Sequence, residues 1–148
     1  VTKLTIDKFS TYSDSWGYGY GYVHCGFRLA ETFLIQAEAL AMQDQIEEAR
    51  IILDRFKSAR YKSTYTIPTE KEALLQDIYR ERRKEFVAEG DYGWLDMKRL
   101  GLKAERTIGG ITFKLEGEGD YRYAFPIPQS EIDNNKEIRQ NPGWILNN

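Results

Sequence analysis

The chain has 148 residues, of which 41% are hydrophobic and 30% charged, a composition typical of a soluble globular domain with its own core. Its 21 basic and 23 acidic residues are interspersed and leave a formal net charge of -2. A nucleic acid is therefore not expected as a partner, because phosphate binding requires a basic surface. No apolar run approaches the roughly 20 residues that span a bilayer, and no signal peptide is recognisable.

No cofactor or metal site is predicted. Cys25 is the single cysteine and follows the single histidine, His24, so an internal disulfide and a cysteine metal cluster are excluded. Neighbours on an extended strand point to opposite faces, which favours ordinary packing over a Cys–His nucleophile. The oxygen-rich stretch from Asp133 to Glu137 would suit calcium, but a solvated turn is the favoured interpretation.

An aromatic ribbon stands out in the N-terminal segment, residues 1–26, which shows no helical period. Its rings are two residues apart and would share one face of an extended strand, with glycines on the other. They are Trp16, Tyr18, Tyr20 and Tyr22. Two interpretations stay open: a stacking platform for a ring-shaped ligand such as a sugar, or an aromatic edge packed against helices.

Helical hairpins are predicted over residues 27–100. Apolar residues recur at helical spacing from Phe27 to Met42, and Asp44 to Glu47 has the pattern of a capping box that would open a second helix. Small residues at the contact would let the two helices approach closely, as in one tetratricopeptide-like unit. A further capping-box pattern at Thr69 to Glu72 would start a third helix running to Glu89, with a short fourth helix after Gly90.

Arg82 lies within the apolar face of the third helix, where a charge is costly unless it is paired. It should therefore contact a carboxylate elsewhere in the fold. After Leu100 the pattern changes to alternation. Ile111–Leu115 and Tyr121–Phe125 flank residues 116–120, which predicts a β-hairpin with a five-residue loop, followed by an extended tail anchored by Trp144. The predicted fold is mainly α, a single domain over residues 1–148 with tetratricopeptide-like helical hairpins, a small β-hairpin in the segment 101–148 and irregular ends.

Five segments resemble, in order and approximate spacing, the C-terminal part of SusD/RagB-like proteins. They are FRLAETFLIQAEAL (Phe27–Leu40), ERRKEFVAEG (Glu81–Gly90), LDMKR (Leu95–Arg99), FPIP (Phe125–Pro128) and QNPGW (Gln140–Trp144). The pattern departs from the family at Tyr92, where the family usually has an arginine. The resemblance implies a mostly helical surface lipoprotein of the Gram-negative outer membrane that binds glycans or other nutrients and forms a lid on a TonB-dependent transporter of the SusC type.

The resemblance also implies that these motifs are framework. Arg82 is expected to pair with Glu31 or Glu38, and Gly90 and Trp144 are expected to have structural roles. Family members are several times longer and carry a lipid on an N-terminal cysteine, which Cys25 does not match. The chain is thus expected to be the C-terminal portion of such a protein, or a shortened relative, with the lipid anchor on a region absent here.

Three functional hypotheses follow. The first is a non-enzymatic glycan-binding component of outer-membrane uptake, with Trp16, Tyr18, Tyr20 and Tyr22 as ligand contacts. The alternative is a tetratricopeptide-like interaction scaffold without its own small ligand. A glycosidase with two carboxylates is disfavoured, because Glu31 and Glu38 would be near 10 Å apart along a helix axis and both have a structural explanation through Arg82.

Overall fold

The computed structural model describes residues 28–87, 89 and 91–144. Within them lie five α-helices, one antiparallel β-hairpin and one 3-10 turn. The helices are α1 (Leu29–Met42), α2 (Ile46–Ser58), α3 (Lys71–Glu85), α4 (Tyr92–Arg99) and α5 (Gln129–Asn134), and the strands are β1 (Ala104–Ile108) and β2 (Ile111–Leu115). The mainly helical fold predicted from the sequence, with a small sheet near the C-terminus, is confirmed.

The described residues group into two compact units that divide between Arg82 and Arg83. In the first unit, α1 and α2 pack as a helical hairpin, and α3 follows after an irregular connection. The facing positions of α1 and α2 are small or branched, which allows close approach of the two axes. They are fully buried at Leu34, Ala37, Ala41, Ala49 and Leu53. The single-domain organisation over residues 1–148 stays a prediction.

The turn between α1 and α2 differs from the predicted capping box. Asp44 has φ 62°, and its backbone N–H donates to Ala41 O at 3.2 Å while that of Gln45 donates to Leu40 O at 3.0 Å. This is the double hydrogen bond of a Schellman motif, with Asp44 at the left-handed position that usually holds glycine. Asp44 therefore ends α1 instead of capping α2, whose N-cap Gln45 makes no side-chain cap. The Asp44 carboxylate accepts a hydrogen bond from Lys71 Nζ at 2.7 Å.

Helix α3 ends at Glu85, four residues before the predicted end at Glu89. The second unit continues with α4, whose first residue, Tyr92, stacks its ring on Phe86 at 4.5 Å and 17°. Phe86 is buried. At this departure from the family pattern, aromatic packing takes the place of a charged side chain.

The predicted strand pairing of Ile111–Leu115 with Tyr121–Phe125 is wrong. β2 pairs instead with β1, in a register that places Ile108 opposite Ile111. Gly109 and Gly110 have φ 58° and 80° and form the two-residue turn that suits the twist of a hairpin. Tyr121–Tyr123 is a 3-10 turn whose N-cap, Asp120, accepts from the Arg122 backbone N–H. The local turn chemistry overrides the alternating pattern.

Candidate functional site

The residues predicted to contact ligand, Trp16, Tyr18, Tyr20 and Tyr22, lie outside the described residues, and so does Gly90. The structure describes the other predicted positions: Glu31 and Glu38 on α1, Arg82 on α3 and Trp144 in the C-terminal segment. A site within the described residues must therefore be built from other side chains.

Arg82 is buried and projects from α3 towards α1. Its Nη2 lies 3.7 Å from Glu31 Oε1, and the two side chains are 6% and 21% exposed. Glu31 is one of the two partners that the sequence argument expected, and Glu38 lies two turns further along the same helix, half-buried. The pair links two helices, which fits a framework position.

A second charged cluster in the same unit escaped the sequence analysis. Lys57 on α2 is buried, and its Nζ contacts Asp77 Oδ2 at 2.5 Å and lies 3.9 Å from Glu81 Oε1. Tyr61 donates its hydroxyl to the Glu81 carboxylate at 2.8 Å. The lysine and the acids are 20 or more residues apart, so spacing along the chain gives no signal for the cluster.

The connection between α2 and α3 folds over this cluster. Lys57 Nζ reaches Thr66 O at 3.4 Å and lies 5.7 Å from the Tyr65 ring centroid. Burial raises the pKa of the Tyr65 phenol, and its hydrogen bond to Asp54 adds to the rise. With every charged member in contact with an opposite charge or a hydroxyl, the cluster fastens α2, the connection and α3 together.

The second unit has an exposed aromatic surface that is available for contact with a ligand. The Trp94 ring, on α4, lies 5.8 Å from that of Phe125 at an interplanar angle of 22° and 5.2 Å from that of Tyr123. Tyr123 is buried, whereas Phe125 is 72% exposed. Phe125 thus has one face supported by Trp94 and the remainder open to solvent. We call Trp94 and Phe125 the platform.

The backbone that carries Phe125 is held by side chains of the C-terminal segment. Gln140 Nε2 donates to Ile127 O at 2.9 Å and its Oε1 accepts from Ile127 N at 2.8 Å. Asn141 Nδ2 donates to Phe125 O at 2.7 Å, and Trp144 Nε1 donates to Ala124 O at 2.8 Å. These bonds do for the extended segment 124–127 what a neighbouring strand would do.

A tight turn delivers Trp144 to its position. Trp144 N donates to Asn141 O at 3.2 Å, and Gly143 has φ 88°. Proline followed by a left-handed glycine is the signature of a type II turn. The turn sets Trp144 edge-on against the Tyr121 ring at 5.2 Å and 82°. A Cβ on Gly143 would overlap the Tyr121 ring, so Gly143 is required by close approach as well as by its conformation.

Asp120 organises the loop that precedes the platform. Its carboxylate accepts from Arg122 Nε at 2.8 Å and Nη2 at 2.6 Å, and from Glu116 N at 2.6 Å. The Arg122 guanidinium, followed by the Glu116 backbone N–H, holds the pKa of the Asp120 carboxyl well below its usual range. These hydrogen bonds fix the start of the segment that carries Tyr123 and Phe125.

Sequence reasoning assigned Phe125 to a strand, and so missed the platform. The available signal was the combination of Phe125–Pro128 with Gln140–Trp144, because two prolines deprive the first segment of backbone donors and the second brings amide side chains.

Among the described residues no group of three or more His, Cys, Asp or Glu side chains is placed to hold a metal ion. Likewise, no helix in the described part of the chain is long and apolar enough to span a membrane.

Comparison with known proteins identifies the family of this chain. The sequence profile of the SusD family matches residues 1–144, and the chain belongs to that family. It is 32% identical over 123 residues to the SusD-like protein P38 of Formosa agariphila, an alignment that covers 78% of this chain and 23% of that protein. The chain thus spans about a quarter of the length of this curated relative. The SusD family is a family of binding proteins and is not generally enzymatic.

Proposed function

We propose that this chain is part of a non-enzymatic, glycan- or nutrient-binding component of an outer-membrane uptake system. It acts at the cell surface together with a TonB-dependent transporter of the SusC type. The observation that carries the proposal is the match of the SusD family to residues 1–144.

Two surfaces are proposed to contact the glycan. The first is the ribbon of Trp16, Tyr18, Tyr20 and Tyr22. The second is the platform, on which Phe125 is 72% exposed and is braced from behind by Trp94. Sugar rings present flat apolar faces that stack on aromatic rings, and a ring already held in place loses little conformational entropy on binding.

A glycan-array screen of the 148-residue chain, followed by titration of any hit with tryptophan fluorescence, tests the proposal. Trp16→Ala and Phe125→Ala are compared with Leu95→Ala, an exposed apolar residue on α4 (54% exposed). We expect the ring that binds sugar to lose about tenfold in affinity on truncation, equivalent to about 1.4 kcal/mol, with an unchanged melting temperature. Saturable binding that neither ring affects would contradict both surfaces.

A second candidate function, an interaction scaffold without its own small ligand, is favoured by the outer face of α1. Ile35 and Met42, two turns apart on one stripe, are 52% and 58% exposed. Such a stripe on a tetratricopeptide-like hairpin suits packing of a further helix. The absence of any array hit, combined with protein contacts that Ile35→Glu and Met42→Glu remove, would favour this function.

A further inference from the structure

The β-hairpin has one apolar face and one polar face. Residues that lie directly opposite each other share a face, and the face alternates along each strand. The pairs Glu105–Lys114 and Thr107–Thr112 form the polar face, joined by contacts of 3.0 Å each. The other face carries Ala104, Arg106, Ile108, Ile111, Phe113 and Leu115.

The apolar face is open to solvent. Ile108, Ile111 and Phe113 are 54%, 63% and 57% exposed, although burying such side chains is the usual source of stability for a sheet. An isolated two-stranded hairpin is marginally stable in water. The open face therefore marks an interaction surface.

Arg106 defines the chemistry of the occupant. It lies in the middle of the apolar face, opposite Phe113, and is exposed. An apolar side chain placed beside Arg106 by a neighbouring strand would take water away from the guanidinium, which is costly unless the partner supplies a carboxylate at that position.

The backbone edge of β1 defines the form of the occupant. With Ile108 opposite Ile111 at a two-residue turn, Ile108 and Arg106 direct their N–H and C=O groups towards β2, and those of Glu105 and Thr107 point outwards. No backbone hydrogen bond from another element of the described chain satisfies Glu105 or Thr107. A lipid bilayer cannot satisfy such groups, whereas an added strand does.

A second copy of this chain fits poorly. Two hairpins packed face to face would bring two apolar faces together with one Arg106 each and no carboxylate on either face. The face is also small, because two five-residue strands extend only about 17 Å and lie about 4.8 Å apart, so the face offers well under the roughly 800 Å² per partner of a stable complex.

We propose that the outer edge of β1 is a docking site for an extended strand of a partner protein. That strand pairs with Glu105 and Thr107 through its backbone, and its apolar residues continue the face of Ile108 and Phe113. A carboxylate of the strand lies directly opposite Arg106. The site is separate from the platform and does not depend on glycan binding.

Three nine-residue peptides test the site. Each alternates valine and threonine, with Glu, Gln or Lys at the central position of the valine face, and each is titrated into the intact chain while backbone amides are followed by NMR. We expect the Glu peptide to bind at least about tenfold more tightly than the Lys peptide. The amides of Glu105 and Thr107 should shift and become protected from hydrogen exchange.

Two variants supply the controls. Arg106→Glu should reverse the order of the Glu and Lys peptides, and Thr107→Pro should abolish binding because it removes an outward N–H without removing a backbone hydrogen bond between the two strands. Unchanged amide spectra of Ile111 and Phe113 would show that the hairpin persists. Equal binding of the three peptides, or no shift at β1, would overturn the proposal. Sedimentation showing a dimer closed through β1, or protection of the hairpin by anionic vesicles instead of peptides, would also overturn it.

Discussion

At the scale of single residues, two buried charge–charge contacts lie where helices meet. Arg82 is 6% exposed and contacts Glu31, while Lys57 contacts Asp77 with both side chains under a tenth exposed. A buried ion pair adds little net stability compared with apolar packing, but removal of one partner leaves the other charge stranded. These positions are therefore sensitive to truncation.

We expect Arg82→Ala to lower the free energy of unfolding by about 3 kcal/mol, near the lower end for a broken buried pair, because Glu31 is 21% exposed and keeps part of its hydration. Urea unfolding followed by circular dichroism measures the change. The free energy of unfolding of Arg82→Lys, which retains the charge but not the planar guanidinium, should fall between those of the wild type and Arg82→Ala. A change within about 0.5 kcal/mol for Arg82→Ala would contradict a buried framework role.

Lys57→Met should destabilise the first unit by about 3–5 kcal/mol, because the buried Asp77 and Glu81 would lose their shared cation. Arg80→Ala is the matched control. Arg80 also contacts Asp77, at 3.6 Å, but its side chain is 64% exposed, and exposed pairs contribute about 0–1 kcal/mol. Similar losses for the two variants in chemical denaturation would show that burial does not distinguish the two pairs.

Asp120 gives a pH prediction. Its folded-state pKa is lowered by Arg122, so between that value and the ordinary value near 3.9 the folded protein binds fewer protons than the unfolded chain. The stability that this carboxylate contributes is present above about pH 4 and is lost as the pH falls towards the lowered pKa.

Comparison of unfolding midpoints at pH 7 and pH 3 measures this linkage. The wild type should lose more stability between the two pH values than Asp120→Asn, which cannot ionise. Asp133→Asn, which removes an exposed carboxylate on α5, serves as the control for a change in net charge. Parallel pH profiles for wild type and Asp120→Asn would contradict the assigned role.

At the scale of elements, turn and cap geometry decided which structure two ambiguous sequence patterns adopted. The alternation in Tyr121–Phe125 resembled a strand, but Asp120 closes a 3-10 turn there. The pattern Asp44–Glu47 resembled a capping box, but Asp44 ends α1. In both cases a polar side chain and the local backbone form a specific motif that composition alone does not distinguish from its alternative.

The hairpin turn gives a prediction at this scale. Apart from the two neighbouring residues in the chain, nothing lies within 4 Å of a Cβ placed on Gly109, and Gly109 has φ 58°, so a substitution there tests mainly backbone strain. Gly109→Val should cost the hairpin about 1–2 kcal/mol, whereas Gly109→Asn should be tolerated because Asn-Gly suits this turn. Hydrogen exchange at the Ile111 amide measures the difference, and equal protection in both variants would contradict the turn assignment.

At the scale of the whole molecule, three exposed apolar regions are notable: Ile35 and Met42 on α1, the face of the hairpin, and Phe125. Scattered exposed apolar residues are ordinary, but contiguous patches indicate interaction sites. Each region has its own proposed partner: a further helix for α1, a strand at the β1 edge that continues the hairpin face, and a glycan for Phe125. The experiments above separate the three, because each substitution alters only one of the regions.

The sequence by itself determined the family, the helical class, the α1–α2 hairpin and the need of Arg82 for a carboxylate. Apolar periodicity and a charge on an apolar face can be read from a short stretch of sequence, whatever the arrangement of the remaining chain. Only the tertiary structure decided that β2 pairs with β1, that Lys57 meets Asp77 and Glu81, and that Gln140, Asn141 and Trp144 hold the segment beneath Phe125. The hairpin depends on the conformation of its Gly109–Gly110 turn. The other contacts join residues 13 or more positions apart, and their stability depends on geometry and desolvation that no local pattern records.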